Sequence, residues 1–448
     1  MKRLVISLAL AALAVACKTA EPVPAPVEST PPQPAAPAPL PPGLDEAAMD
    51  PAANPCDDFY RYACGGWMDK TEIPADRAAW SRGFATIAER NEMLLRDILV
   101  AAAEGKAPEG TPYARELGDY WATCMDEAAL ESSLPLLEAE LKRINTRDPA
   151  SLAAAVGRMH QQGMRPLFRF GSTQDFKDAT QVIGEFDQGG LGLPDRDYYV
   201  KEDAPTKAVR EAYVEHVARI FELLGQKPDE AKRSAGTVME VETALAKASL
   251  TNVERRSPEK LYHRLERKGL KAAAPAFPWD TYLKELGAPG VEQLNVTHPP
   301  FFEQVSRMAK SIRPDEWRTY LTWHFVAGSI PALPKRFQDE RFRFMSKALT
   351  GAKEDLPRWK KCVSYTDAAL GEALAQPFVA KYFGVEGKEI TSEMVVDIQR
   401  AFAANLDTLP WMDADTRARA LEKLNKFVNK IGYPEKWRSY DGLKIDRQ

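Results

Sequence analysis

Residues Asn54 to Pro74 read NPCDDFYRYACGGWMDKTEIP, and the rest of the chain is organised around them. The stretch follows a featureless proline-rich run and gathers Cys56, Cys64, a Gly-Gly pair and the aromatics Phe59, Tyr60, Tyr62 and Trp67. It reads as a short capped helix. Asp57 or Asp58 accepts the free N–H groups of the first turn, and Gly65 takes the left-handed conformation that ends it. Phe59 and Tyr62 share a face, and Trp67 follows the turn, so the segment is a plug pressed into a larger body. By its chemistry alone it is an aromatic tie-down of a domain's N-terminus.

Upstream lies an export signal, residues 1–16. Lys2 and Arg3 precede the apolar run Leu4 to Val15, too short to span a bilayer but long enough for a signal core. Ala14-Val15-Ala16 is a small-residue cleavage site followed at once by Cys17, the arrangement of a bacterial lipoprotein with Cys17 as the lipidated residue. Acylation there anchors a protein to a membrane without a transmembrane helix. The expected location is outside the cytoplasm, periplasmic or at the cell surface. Residues 17–47 form a stalk: Glu21 to Pro42 carries ten prolines among alanines, and extended at about 3.1 Å per residue it reaches roughly 70 Å.

Residues 48–448 are the body. With 448 residues, 44% of them hydrophobic and 28% charged, the chain has ample length for a core. The net charge of -4, with acids and bases interleaved, gives no footprint for nucleic acid. The pattern is mainly α, a large multi-helix domain. Phe84, Ile87, Leu94, Leu95 and Ile98 recur at helical spacing, as do Val395, Ile398, Phe402, Leu406 and Leu409. A third stripe, Ala420, Leu421, Leu424, Phe427 and Val428, follows Asp413 as its cap. All three read as core faces. Leu167 to Phe170 and Thr180 to Phe186 flank a polar turn and predict one small β-hairpin, running into a turn-rich loop that ends at Tyr198 and Tyr199.

The plug, PCDDFYRYACGGW with its Lys-Thr-x-Ile-Pro-Ala-Asp continuation, resembles the start of the extracytoplasmic part of neprilysin and endothelin-converting-enzyme type zinc metallopeptidases. Six further stretches resemble that family in its order: Tyr120 to Asp126, Gly190 to Tyr199, Glu254 to Tyr262, Arg358 to Cys362, Leu409 to Thr416 and Lys430 to Pro434. Together they cover roughly residues 50 to 445. The resemblance implies the helical lobe that roofs the active-site chamber and helps select short peptides. It also implies a Cys124–Cys362 disulfide within this lobe. Closing a loop of some 240 residues stabilises a fold by about 5 kcal/mol in the chain-entropy model. Cys56 and Cys64 match positions whose family partners lie in the catalytic half. If residues 57 to 64 are helical, their Cα atoms stand about 12 Å apart, beyond the roughly 7 Å a bridge allows. They are expected to be orphans.

The family's chemistry needs two histidines four apart on a helix with a glutamate between them, and a third zinc ligand. His160, His216, His263, His298 and His324 are the only histidines; none is followed by Glu, and no two lie within one turn. No catalytic residue and no metal ligand is therefore assigned; zinc is implied only for the complete family enzyme. There is no nucleophile elbow, Walker motif or dinucleotide fingerprint, and the Asp57-Asp58 pair is better explained by capping. Where the family places a substrate-binding arginine, the chain reads Ala78-Ala79, so that role is not carried over to Arg77 or Arg82. In the family the HExxH helix lies beyond the Ile-Gly-Tyr-Pro segment. The expectation is thus the lobe without its zinc half, inactive alone, as a fragment or frame-shifted product awaiting a separate or downstream catalytic half. The alternatives are a non-catalytic peptide-binding lipoprotein that retains the lobe, and an unrelated helical scaffold.

Overall fold

The computed structural model describes residues 45–447; the export segment, Cys17 and the stalk as far as residue 44 lie outside the described residues. In the opening stretch Asp58 is the cap, its carboxylate accepting the Arg61 N–H at 2.8 Å. The helix it starts, α1 (Phe59–Lys70), does not stop at Gly65 but runs through both glycines, and Trp67 lies within it. The reason is steric. The preceding chain crosses the helix here, and a Cβ on Gly66 would collide with the Met49 carbonyl oxygen. These glycines serve close approach, not helix termination.

After α1 come α2 (Phe84–Ala103) and α3 (Ala114–Met125). The chain then passes through a 3-10 segment (Ala129–Ser133) into α4 (Leu134–Arg143) and α5 (Pro149–Gln161). Strands β1 (Phe168–Gln174) and β2 (Val182–Gln188) follow, then α6 (Asp197–Val200), α7 (Ala204–Leu223), α8 (Pro228–Ala248) and α9 (Pro258–Leu261). Next are β3 (Arg264–Glu266), α10 (Arg267–Ala273), α11 (Trp279–Leu286), β4 (Gln293–Val296), α12 (Pro299–Ser311), α13 (Pro314–Ser329) and α14 (Lys335–Arg341). A π-helical turn (Phe342–Ala348) closes this series before α15 (Arg358–Tyr382), α16 (Gly384–Leu406) and α17 (Ala414–Asn425). Many helix starts are legible: Asp148, Asp203 and Asp413 each accept an N–H of the first turn, and Pro149 and Pro228 occupy first helical positions.

The body that reads as one helical domain has two hydrophobic cores. The smaller joins Leu99, Leu117, Trp121, Cys362, Leu370 and Leu374 from α2, α3 and α15. The larger is built from α4 through the π-helical turn. Among the described residues no extensive helix packing joins the two bodies, and α15 touches α14 through Arg358 and Gln338. The chain crosses between them over residues 126–133 and 349–357. Cys124 and Cys362, at the small-body ends of these crossings, are disulfide-bonded with Cα atoms 5.8 Å apart.

The expected hairpin is present, with Phe170 opposite Phe186, but it is half of a four-stranded sheet ordered β1-β2-β4-β3. β2 and β4 are parallel, and β4 and β3 antiparallel. Strands of three and four residues are too short to show alternation, which hid β3 and β4. The sheet anchors the larger core: the Phe168 ring lies within 6 Å of Phe186, Phe277, Trp279, Tyr282 and Phe302.

The apolar stripes divide differently from expectation. In α2 Leu95 and Ile98 pack against the smaller core as expected, beside the buried Leu99 and Ala102, while Phe84 is 89% exposed. In α16, Ile398 is 64% and Phe402 49% exposed, and only Leu406 is buried. Phe427 and Val428 lie past the end of α17 and are exposed. Helical spacing reports an apolar face, not what covers it.

Candidate functional site

The densest buried polar cluster centres on Glu242. Its position was available in the sequence as a carboxylate interrupting the apolar face of α8, Ala231, Ala235, Val238 and Leu245. That sequence signal was missed. Fully buried, Glu242 accepts hydrogen bonds from the hydroxyls of Tyr199 (2.6 Å) and Tyr213 (2.9 Å) and faces His324 Nε2 at 3.0 Å. Burial, then Glu242 itself, pushes both tyrosine pKa values well above the usual range. The Tyr199 oxygen in turn accepts the N–H groups of Gly192 and Leu193. Tyr320 donates to the Gly190 carbonyl and accepts the Leu167 N–H. The loop from Gly190 to Tyr199 is thereby pinned from inside, and a buried carboxylate with three partners is a positioning device.

The stretch Glu254 to Tyr262 pins the sheet from outside. Arg255 grips Asp187 of β2 with two hydrogen bonds of 2.8 Å, and Thr297 donates to the same carboxylate. Burial raises the Asp187 pKa, but Arg255 and Thr297 more than offset it. At the hairpin tip the Lys177 N–H, the Tyr262 hydroxyl and Arg264 hold the Asp175 carboxyl below its usual range.

The histidines are dispersed and mostly engaged. His160 sits between the Tyr282 hydroxyl and the Pro166 carbonyl, at 2.7 and 2.9 Å, and burial lowers its pKa to about 4. His216 pairs with buried Glu340 at 3.0 Å and stacks on Phe344. Burial lowers the His298 pKa. Among the described residues no three His, Cys, Asp or Glu side chains are grouped to hold a metal ion. The residues present do not fit a zinc site, and no catalytic step is derived through one.

Cys56 is exposed and Cys64 half-buried, both as thiols. Arg61 braces the plug through Asp50 and Asp69. Of the aromatics, Phe59 and Tyr60 are exposed, whereas Tyr62 and Trp67 are half-buried. Arg77 pairs with Glu92 and Arg82 with Asp45. No helix in the described residues is long and apolar enough to cross a membrane.

Two helical bodies, a small mixed sheet and a polar interior that holds loops in place define a mainly helical structural lobe. The sequence profile of peptidase family M13, for its N-terminal domain, matches residues 55–434, and the chain belongs to that family. Endothelin-converting enzyme 1 of Bos taurus is 32% identical over 406 residues, covering 87% of this chain and 52% of that protein. The Rattus norvegicus enzyme is 31% identical over 407 residues, covering 86% and 52%. The chain thus spans about half the length of these curated relatives. Among solved structures, the Mycobacterium tuberculosis zinc metalloprotease Zmp1 in complex with inhibitor superposes with a TM-score of 0.84 at 34% identity, covering 91% of this chain and 62% of that one. The same protease in its open state gives 0.74, also at 34% identity, with 88% and 61% covered. The arrangement seen here is closer to the inhibitor-bound form.

Proposed function

We propose that this chain is the substrate-enclosing N-terminal domain, residues 48–448, of an exported zinc metalloendopeptidase acting on short peptides, tethered to a membrane through Cys17 and the stalk. In this reading zinc and the general base come from a catalytic half, and these 448 residues hydrolyse nothing alone because they contain no HExxH. Membership of the family supports the peptidase assignment. The observation that carries the enclosing role is the pair of separate cores linked by two chain crossings, since such bodies close over a chamber by small rotations. The exposed apolar face of α16 and the unpaired thiols of Cys56 and Cys64 suit contact with further polypeptide.

The second reading, a non-catalytic peptide-binding lipoprotein, is favoured by the Glu242 cluster, whose buried carboxylate is paired with Tyr199, Tyr213 and His324 without a partner chain. Zinc titration and a fluorogenic peptide assay on the purified chain test the first reading. The expected result is no stoichiometric zinc and no chelator-sensitive cleavage; one zinc per chain with EDTA-inhibited cleavage overturns it. Tight binding of short peptides by the chain alone would transfer the lead to the second reading.

A further inference from the structure

Beside the Cys124–Cys362 bridge, a cleft of about 590 Å³ opens between the two bodies. Residues from the ends of α3 and α15 form one side and the turn at Pro331 the other. The volume lies within the range of small-molecule sites. Its walls are nearly all apolar, with Leu130, Pro331 and Ile445 prominent, and three side chains bring unspent polarity: Tyr120, Tyr365 and Arg358.

Arg358 is half-buried. Its Nε donates to the Cys124 carbonyl at 2.7 Å and Nη1 reaches Gln338 Oε1 at 3.4 Å, and no carboxylate of the described residues pairs with it. Its neighbours differ. Lys360 is paired with Asp76 and Lys361 with Asp355, so of the three cations opening α15 only Arg358 lacks an acid. A half-buried guanidinium beside apolar walls attracts a carboxylate, which it grips with two parallel bonds. Tyr120 and Tyr365 line the same cleft as Arg358, and burial raises both of their pKa values. Neither hydroxyl has a hydrogen-bond partner among the described residues.

We propose that this cleft binds a medium-chain fatty acid, its carboxylate on Arg358, Tyr120 and Tyr365 and its alkyl chain between the two bodies. An alkyl chain suits these walls better than a peptide does. A peptide would bury several amide groups, and the cleft has almost nothing to pair with them: the Thr123 hydroxyl already donates to the Asp446 carbonyl.

The test uses the full chain and a dansyl-labelled undecanoic acid as reporter, displaced by decanoate, by 1-decanol or by a hexapeptide ending in leucine. Saturable one-to-one binding is expected, with decanoate competing at least tenfold better than the alcohol and the peptide not competing. Arg358→Gln should abolish the preference for acid over alcohol, and Ala369→Trp, which fills the cleft, should abolish reporter binding. Tyr365→Phe, which keeps the arginine and its backbone contact, should weaken decanoate severalfold and leave decanol unchanged. It decides the matter should Arg358→Gln not form the disulfide. Absence of saturable binding, equal affinity for acid and alcohol, displacement by the peptide, or unchanged binding in Ala369→Trp would each overturn the proposal.

Discussion

The hydroxyl of Tyr213 occupies the space in which Gly192 would carry a side chain. The loop can come this close because Gly192 has no Cβ, and the approach lets the loop's N–H groups reach Tyr199 while Tyr213 stays on Glu242. Gly192→Ala must push Tyr213 off the carboxylate or the loop off Tyr199. It should cost about 2–4 kcal/mol by overpacking and loss of a buried hydrogen bond. Urea unfolding measures this against Gly171→Ala, a strand site with open space around it, expected within about 0.5 kcal/mol of the parent.

Ile398 and Phe402 lie on a solvent-facing stripe of α16, and Leu406 is buried on the same helix. Ile398→Glu and Phe402→Glu should leave stability within about 0.5 kcal/mol, whereas Leu406→Glu should cost several kcal/mol. The first two should also reduce self-association in sedimentation velocity. A loss of 2 kcal/mol or more in either (the cost of a core site) would show that the stripe is covered.

Cys124 and Cys362 close a loop spanning 238 positions, which contains the whole larger body. Cys124→Ser should remove up to about 5 kcal/mol by releasing the unfolded chain. Because the bodies share no core, limited proteolysis of that variant should cut first in residues 126–133 or 349–357. Equal melting temperatures with and without the bond would refute the staple.

His160 is held neutral by burial, with a pKa of about 4 against 6.5 for the free side chain. Between those values the unfolded chain binds the proton and the folded one does not. Its contribution is therefore complete above pH 6.5, falls as the pH drops toward 4, and changes no further below that. The span is worth of order 3 kcal/mol. His160→Gln should show a shallower fall in stability from pH 6.5 to 4 than the parent. Parallel curves would contradict the assignment.

Cys56 precedes α1 in an exposed turn, and Cys64 lies half-buried within the helix. Thiol reagents should modify Cys56 first and Cys64 more slowly. Proteolysis near Gly65-Gly66, the natural expectation for a glycine pair ending a helix, should be slow because both residues are helical and Gly65 is buried. Rapid cutting there would show that the plug opens.

Much of the fold was legible in the residues themselves. Helical periodicity, aspartate caps, prolines at first turns and the hairpin are encoded within a few positions of one another, where spacing and backbone chemistry decide the outcome. The seven family-like stretches specified the lobe for the same reason, each carrying its own local pattern.

Tertiary structure alone decided what each apolar face meets and where distant polar groups converge. Phe402 and Leu406 are equivalent in a stripe, yet one faces solvent and the other a neighbouring segment. Glu242 draws Tyr199, Tyr213 and His324 from three other parts of the chain, and β4 joins β2 across more than a hundred residues. Arg358 has no acid partner among the described residues, whereas Lys360 pairs with Asp76 and Lys361 with Asp355. Burial and pairing depend on which surfaces come together in space, and a one-dimensional pattern records the faces on offer without recording their partners.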